Sequence, residues 1–243
     1  MTIRSVFITG IASGVGAKIA ARGLAAGMNV YGCDIDAEAV ETVSLRHEGQ
    51  SLTVFRCDIA DTPSLFACFD EALSLSGGID ALVNNAGLYL GQPIAAYDDA
   101  TIERVIAVNL TAPMKLSRRF AEAKQRAGGA GAIVNIASVA GEVGSSDAVY
   151  GSVKAAVIGL TKSNAMNFAP AIRVNAVSPG LIVDTAIARA IPDYRYAEYK
   201  RQEMLDGDLT TDSVADVVAF LLSPASRSMT GAILRSDNGC YPR

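Results

Sequence analysis

"SVFITGIASGVG" (residues 5–16) begins with a short β-branched and aromatic run, then breaks into three glycines, Gly10, Gly14 and Gly16. The first five residues read as a strand and the glycines as a tight turn. The pattern beyond them reads as a helix through about Ala26, closed by Gly27. Strand, glycine turn and helix in immediate succession open a parallel α/β unit.

The same rhythm continues along the chain. "NVYGC" (29–33) is a second strand, followed by a helix near 36–46. "LTVFRC" (52–57) leads into "DTPSLFACFDEAL", where Thr62 suits an N-cap and Pro63 the first helical position. "DALVNN" (80–85) is a fourth strand, and a long helix follows from about Asp99 to Lys124. "AIVNIA" (132–137), "IRVNAV" (172–177) and "GAILRS" (231–236) are three more strands, with helices over about 149–168 and 212–222. The strands are apolar on both faces, which predicts a parallel sheet covered on both sides. The expected fold is a doubly wound, Rossmann-like α/β sheet of about seven strands, in a single domain spanning residues 1–243. Residues 184–211 break the rhythm with a long aromatic and charged segment, punctuated by Pro192 and Gly207. This excursion is expected to act as a substrate lid, with Tyr196, Tyr199 and Met204 available to cover a ligand.

Composition limits the chemistry. Half of the 243 residues are hydrophobic and 19% are charged, enough apolar material for a substantial core. A net charge of −4 without a long basic run gives nucleic-acid binding no support. No apolar stretch approaches the ~18 residues of a membrane-spanning helix. The N-terminal "MTIRSVFITG" enters a strand directly, so a cytoplasmic protein without a signal peptide is expected. Cys33, Cys57, Cys68 and Cys240 lack C-x-x-C spacing and read as small buried hydrophobes. The single histidine, His47, falls at a polar helix end, so no metal site built from several imidazoles is available. Acid/base chemistry must come from Tyr, Lys, Asp or Glu.

The glycine turn has a chemical use besides a structural one. Its spacing, G-x-x-x-G-x-G, lets the backbone approach a pyrophosphate whose charge rests on the N–H groups of the helix start. Asp34 ends the second strand, where a carboxylate can take the hydroxyls of an adenosine ribose and repel a 2′-phosphate. Asp36 is free to cap the following helix. No Lys or Arg lies in the turn before Lys18, so NAD is favoured over NADP.

Tyr150 and Lys154, in "AVYGSVKAAV" (148–157), stand i and i+4 and leave one face of a helix. Alone, that pair suits a lysine snorkelling past a half-buried tyrosine. In order along the chain, however, stand "TGIASGVG" (9–16), Asp58, "NNAG" (84–87), Asn109, Ser138, Tyr150 with Lys154, and "SPG" (178–180). Together these resemble the short-chain dehydrogenase/reductase family over essentially the whole chain.

The resemblance implies that Tyr150 is the general acid/base and that Ser138 hydrogen-bonds the substrate oxygen. Lys154 would lower the phenol's pKa and hold the nicotinamide ribose. Asn109 has two readings. Pro113 lacks an N–H four residues on, so the site is a simple proline kink, or the freed carbonyl holds a water in the family's proton relay. Cofactor contacts are implied for Gly10, Ser13, Gly14, Val15 and Gly16 in the turn, and for Asp34 and Ile35 at the second strand end. They are implied too for Asp58 and Ile59 after the third strand, and for Asn85, Ala86 and Gly87 after the fourth. Tyr150, Lys154, Pro179, Gly180, Ile182 and Thr185 complete the set. Two spacings depart from the common pattern: eleven residues separate Ser138 from Tyr150, one fewer than usual, and "LIVDT" is one longer.

The expected activity is NAD-dependent interconversion of a secondary alcohol and a ketone, by a homotetramer built on two long helices. A 3-oxoacyl-carrier-protein reductase using NADPH is the alternative enzyme. It is disfavoured because those enzymes carry an arginine-aspartate pair soon after "NNAG", where this chain reads "LYLGQP". A non-catalytic dinucleotide sensor is the alternative of another class. Leu88, Tyr89, Leu90, Val143 and Leu181 are candidates for an apolar substrate pocket.

Overall fold

The computed structural model describes residues 2–191 and 193–240, so the expected break at Pro192 lies outside the described residues. Strand β1 (Ser5–Thr9) runs into α1 (Gly14–Ala25), and β2 (Asn29–Asp34) into α2 (Ala37–Arg46). Next come β3 (Leu52–Arg56), α3 (Thr62–Ser76) and β4 (Ala81–Asn84). Helices α4 (Asp99–Ile106) and α5 (Ala112–Ala127) precede β5 (Gly131–Ile136). A short α6 (Ala140–Val143), the long α7 (Ala148–Phe168) and β6 (Ile172–Pro179) follow. Then α8 (Ala186–Ala190), α9 (Asp193–Gln202), α10 (Thr211–Leu222) and β7 (Ile233–Ser236) complete the order.

The seven strands form one parallel sheet in the order β3-β2-β1-β4-β5-β6-β7. Both faces are buried, and the side-chain alternation of β1 shows how. Val6 and Ile8 pack with Ile19 of α1 and Val214 and Val218 of α10. Phe7 points the other way, into Leu65 and Phe69 of α3 and Leu116 and Phe120 of α5. The Phe7 and Phe69 rings meet edge-on with centroids 5.3 Å apart. Strand order reverses between β1 and β4, so the chain leaves these strands in opposite directions and a crevice opens beyond their carboxyl ends.

Two local features differ from the sequence expectations. Thr62 is the first residue of α3 and Asp61 holds the cap position. The Thr62 hydroxyl instead accepts a 2.8 Å bond from Lys115 of α5, while Asp61 accepts from Ser64. The expected long helix after β4 is continuous but carries a π-helical turn at Ala107–Thr111. Pro113 cannot donate to Asn109, so the turn widens where the ladder is broken.

The 184–211 excursion is tied at its base. The Asp184 carboxylate accepts from the Thr211 N–H (2.8 Å) and hydroxyl (2.6 Å), and the Val183 N–H donates to the Leu209 carbonyl at 3.0 Å. Between these ends stand α8 and α9. Cys33, Cys57 and Cys240 are buried as expected, and Cys68 is half-buried.

Candidate active site

The crevice is a cleft of about 550 Å³. One end is built by the β1–α1 turn. Gly10 and Gly16 are required there for different reasons. Gly10 sits at φ +67, a region that favours glycine, and a Cβ on Gly16 would fall 1.9 Å from the Gly10 carbonyl oxygen. Ser13 holds the cap position of α1 without making a side-chain capping bond, so the first N–H groups of α1 and the Ser13 hydroxyl face the cleft. Such a helix start suits an anion.

Asp34 stands at the end of β2, and its carboxylate is already engaged. It accepts from the Ala12 N–H at 3.0 Å and the Asp36 N–H at 3.2 Å. Asp34 therefore braces the glycine turn while lining the cleft, a role its spacing does not reveal. Asp36 caps α2, accepting from Glu38 and Ala39 at 3.1 Å. Asp58 accepts from the Ala60 N–H at 3.0 Å and pairs with Arg104 at 2.8 Å. Burial opposes its ionisation, but these donors outweigh burial and hold the carboxyl below its usual range. Arg104 and Cys57 also line this end, and no sequence signal distinguished them.

"NNAG" turns out to be partly scaffolding. The Asn85 side chain donates to the carbonyls of Thr9 (2.9 Å) and Gly10 (3.0 Å). The Thr9 hydroxyl accepts from the N–H groups of Asn85 and Ala86, both at 3.1 Å. Asn84 joins a buried network, donating to Asn135 of β5 at 2.8 Å and Ser117 of α5 at 3.2 Å, while Asn135 donates to Thr161 of α7 at 2.9 Å. These bonds hold β4, β5, α5 and α7 in register beneath the cleft.

At the other end α7 delivers Tyr150 and Lys154. Gly141 of α6 is what permits the close seat of this helix, since a Cβ there would meet the Ala155 N at 2.5 Å. The Lys154 ammonium is buried, donates to the Ile136 carbonyl at 2.8 Å, and lies 5.5 Å from the Tyr150 ring centroid. Burial lowers its pKa to about 8. In the free protein burial dominates at the Tyr150 phenol and raises its pKa above the ordinary phenol range, although neighbouring Ser138 favours ionisation.

Asn109 lies in the π turn, donates to the carbonyls of Leu88 and Val105 at 2.9 Å, and accepts from the Leu88 N–H at 3.3 Å. It thereby locks the chain after β4 against α4. Every other expected site residue except Gly16 lines the cleft, including Val15, Ile35, Ile59, Ala86, Gly87, Pro179, Gly180, Ile182 and Thr185. Thr185 also caps α8, accepting from the Ala188 N–H at 3.3 Å.

Of the apolar candidates, Leu88, Tyr89 and Leu181 line the cleft. Leu90 and Val143 do not, being exposed to solvent at 42% and 38%. From α9, Tyr199 reaches the cleft, whereas Tyr196 does not and Met204 packs against Gly239. Arg189 and Glu203, which were not expected, also line it.

A family model described as enoyl-(acyl carrier protein) reductase matches residues 10–241. A crystal structure described as a short-chain dehydrogenase/reductase from Brucella melitensis superposes with TM-score 0.91 at 30% identity, covering 99% of each chain. The chain belongs to the short-chain dehydrogenase/reductase family.

Among its relatives is the cis-4-hydroxycyclohexanecarboxylate dehydrogenase of Sinomonas cyclohexanicum, 38% identical over 97% of this chain and 96% of that protein. The (3R)-3-hydroxyacyl-CoA dehydrogenase of Rattus norvegicus is 32% identical over 96% and 95%. A 4-hydroxyisoleucine dehydrogenase complexed with NADH has TM-score 0.90 at 30% identity over 99% of each chain. This short-chain dehydrogenase/reductase is therefore an oxidoreductase whose relatives act on hydroxyl groups.

Proposed function

We propose that this chain is an NAD-dependent dehydrogenase interconverting a secondary alcohol and a ketone. The observation that carries the reading is one cleft lined by Asp34 at one end and by Ser138, Tyr150 and Lys154 at the other. The Gly10–Gly16 turn and the start of α1 would take the pyrophosphate, Asp34 the adenosine ribose, and Asp58, Ile35 and Ile59 the adenine end. Ala86, Gly87, Pro179, Gly180, Ile182 and Thr185 would line the nicotinamide half. Bound NAD would supply the hydride acceptor.

In this mechanism the Ser138 hydroxyl donates a hydrogen bond to the substrate oxygen and the Tyr150 Oη takes the alcohol proton during oxidation. Taking that proton requires the phenolate, which a cation beside it in the ternary complex would favour. Lys154, with its pKa near 8, is poised to pass a proton onward at neutral to mildly alkaline pH. Asn109, at the widened π turn, extends that relay towards solvent.

Hydroxy acids are the substrate class to test first, a choice supported by the names of two relatives, a hydroxycyclohexanecarboxylate dehydrogenase and a 4-hydroxyisoleucine dehydrogenase. Arg189 supports this, since it lines the cleft and no carboxylate pairs with it among the described residues. The 184–211 excursion would close over the bound substrate, within one catalytic domain assembled as a cytoplasmic homotetramer. An NAD-reduction screen across hydroxy acids, polyols, hydroxysteroids and aryl alcohols tests the reading. Turnover by none of them, in protein that binds NADH, would favour the sensor alternative.

A further inference from the structure

Asp147 is fully buried and stands at the cap of α7, three residues before Tyr150. Its carboxylate accepts three hydrogen bonds. One oxygen takes the Tyr150 N–H at 3.0 Å. The other takes the Gly91 N–H at 3.1 Å and the Tyr97 hydroxyl at 2.7 Å. All three partners are donors, so the site suits an acceptor-only carboxylate.

Gly91 and Tyr97 belong to the segment that follows β4 and forms one wall of the cleft. Leu88 and Tyr97 of that segment also pack on Val149 and Val153 of α7. Gly91 turns at φ +69 directly against the Tyr89 ring, which a Cβ on it would approach to 3.2 Å. Tyr89 in turn meets the Tyr150 ring edge-on, with centroids 4.9 Å apart.

We propose that Asp147 is a positioning residue of the reaction: its carboxylate fastens the cleft wall at Gly91 and Tyr97 to the first turn of the Tyr150 helix, fixing where Tyr89 stands against Tyr150. The proposal rests on the reading of Tyr150 as the acid/base. The groups facing the phenol are Ser138 from the β5–α6 loop, Tyr89 from the wall, and Asp147 and Lys154 from α7. Behind burial, Ser138 favours the phenolate, and Tyr89 and Asp147 both disfavour it. The clamp therefore has an electrostatic consequence that a merely structural cap lacks.

Asp147→Asn keeps the shape and the bond to the Tyr150 N–H, but presents a donor to the Gly91 N–H and removes the charge. The pH profile of kcat for alcohol oxidation reports the group that must lose its proton, and the step assigned to Tyr150 is the one followed. In Asp147→Asn that step should move to lower pH, because a carboxylate that disfavours the phenolate is removed. The KM for the alcohol should rise roughly ten-fold, as for one lost bond to a charged group, with the KM for NAD unchanged. Tyr97→Phe should raise the alcohol KM less and leave the Tyr150 step in place. An unmoved step in Asp147→Asn, or a KM for NAD that rises as much as that for the alcohol, overturns the proposal. Should Asp147→Asn fail to fold, Tyr97→Phe decides, and an unchanged alcohol KM overturns the clamp. Failure of the acid/base reading shows separately, as turnover surviving in Tyr150→Phe, while the split between the alcohol and NAD KM values still reads the clamp.

Discussion

The Lys154 ammonium sits 5.5 Å from the Tyr150 ring centroid and is held there by a 2.8 Å bond to the Ile136 carbonyl. A buried cation with one neutral acceptor is poorly solvated, which is why its pKa falls from 10.5 to about 8. The same arrangement destabilises the fold while the lysine is charged.

Lys154→Met should therefore raise stability at neutral pH while abolishing turnover. Below pH 8 the folded chain holds a charge it disfavours, whereas the unfolded chain keeps that proton up to a pKa of 10.5. The penalty corresponds to about 3 kcal/mol, less about 1 kcal/mol for the lost bond to Ile136, or a rise of about 5 °C in Tm. As pH climbs from 8 towards 10 the wild type sheds the penalty and the gap narrows. A variant that melts lower than wild type at pH 7 contradicts this.

If the phenol acts on the substrate oxygen as proposed, Tyr150→Phe should abolish alcohol oxidation and leave NADH binding within a few-fold of wild type. Fluorescence titration with NADH and a turnover assay measure the two arms. Residual activity above a few per cent would assign the proton to another group.

Wild-type enzyme should prefer NAD over NADP by about an order of magnitude or more in kcat/KM, because Asp34 would face the 2′-phosphate. Asp34→Ala should narrow the gap mainly by weakening NAD. It also frees the Ala12 and Asp36 N–H groups, so NADP should gain little. Preference for NADP in the wild type sinks this reading.

Asn135→Ala strands buried donors on Asn84 and removes the partner of Thr161, which should cost about 2–4 kcal/mol in urea unfolding. A cost under about 0.5 kcal/mol would show that the network does not hold the layers together.

Arg189→Ala should raise the KM for a hydroxy acid roughly ten-fold or more while sparing neutral alcohols. In hydrogen exchange, residues 186–207 should gain protection when NADH and a substrate analogue bind, with the Asp184–Thr211 base protected throughout. Protection already high and unchanged by ligands rules out a mobile lid.

Features that rest on short spacing were legible in the sequence. The β1–turn–α1 opening, the alternation of strand and helix, the Asp36 cap and the shared face of Tyr150 and Lys154 all depend on residues within a turn or two of each other. Side-chain period and glycine placement determine them whatever the rest of the chain does. The positions of Ser138 and Asp34 at strand ends follow from the same alternation. Other features depend on partners far apart in the chain and were decided only by tertiary packing. Asp147 bonds to Gly91 and Tyr97, 56 and 50 residues away, and Asn84 to Asn135, 51 away. The engagement of Asp34 with the glycine turn, the exposure of Leu90 and Val143, and the depth that drives Lys154 down and Tyr150 up belong with them. Hydrogen-bond partners, desolvation and cleft walls depend on which surfaces the strand order brings together, and local periodicity carries no record of that.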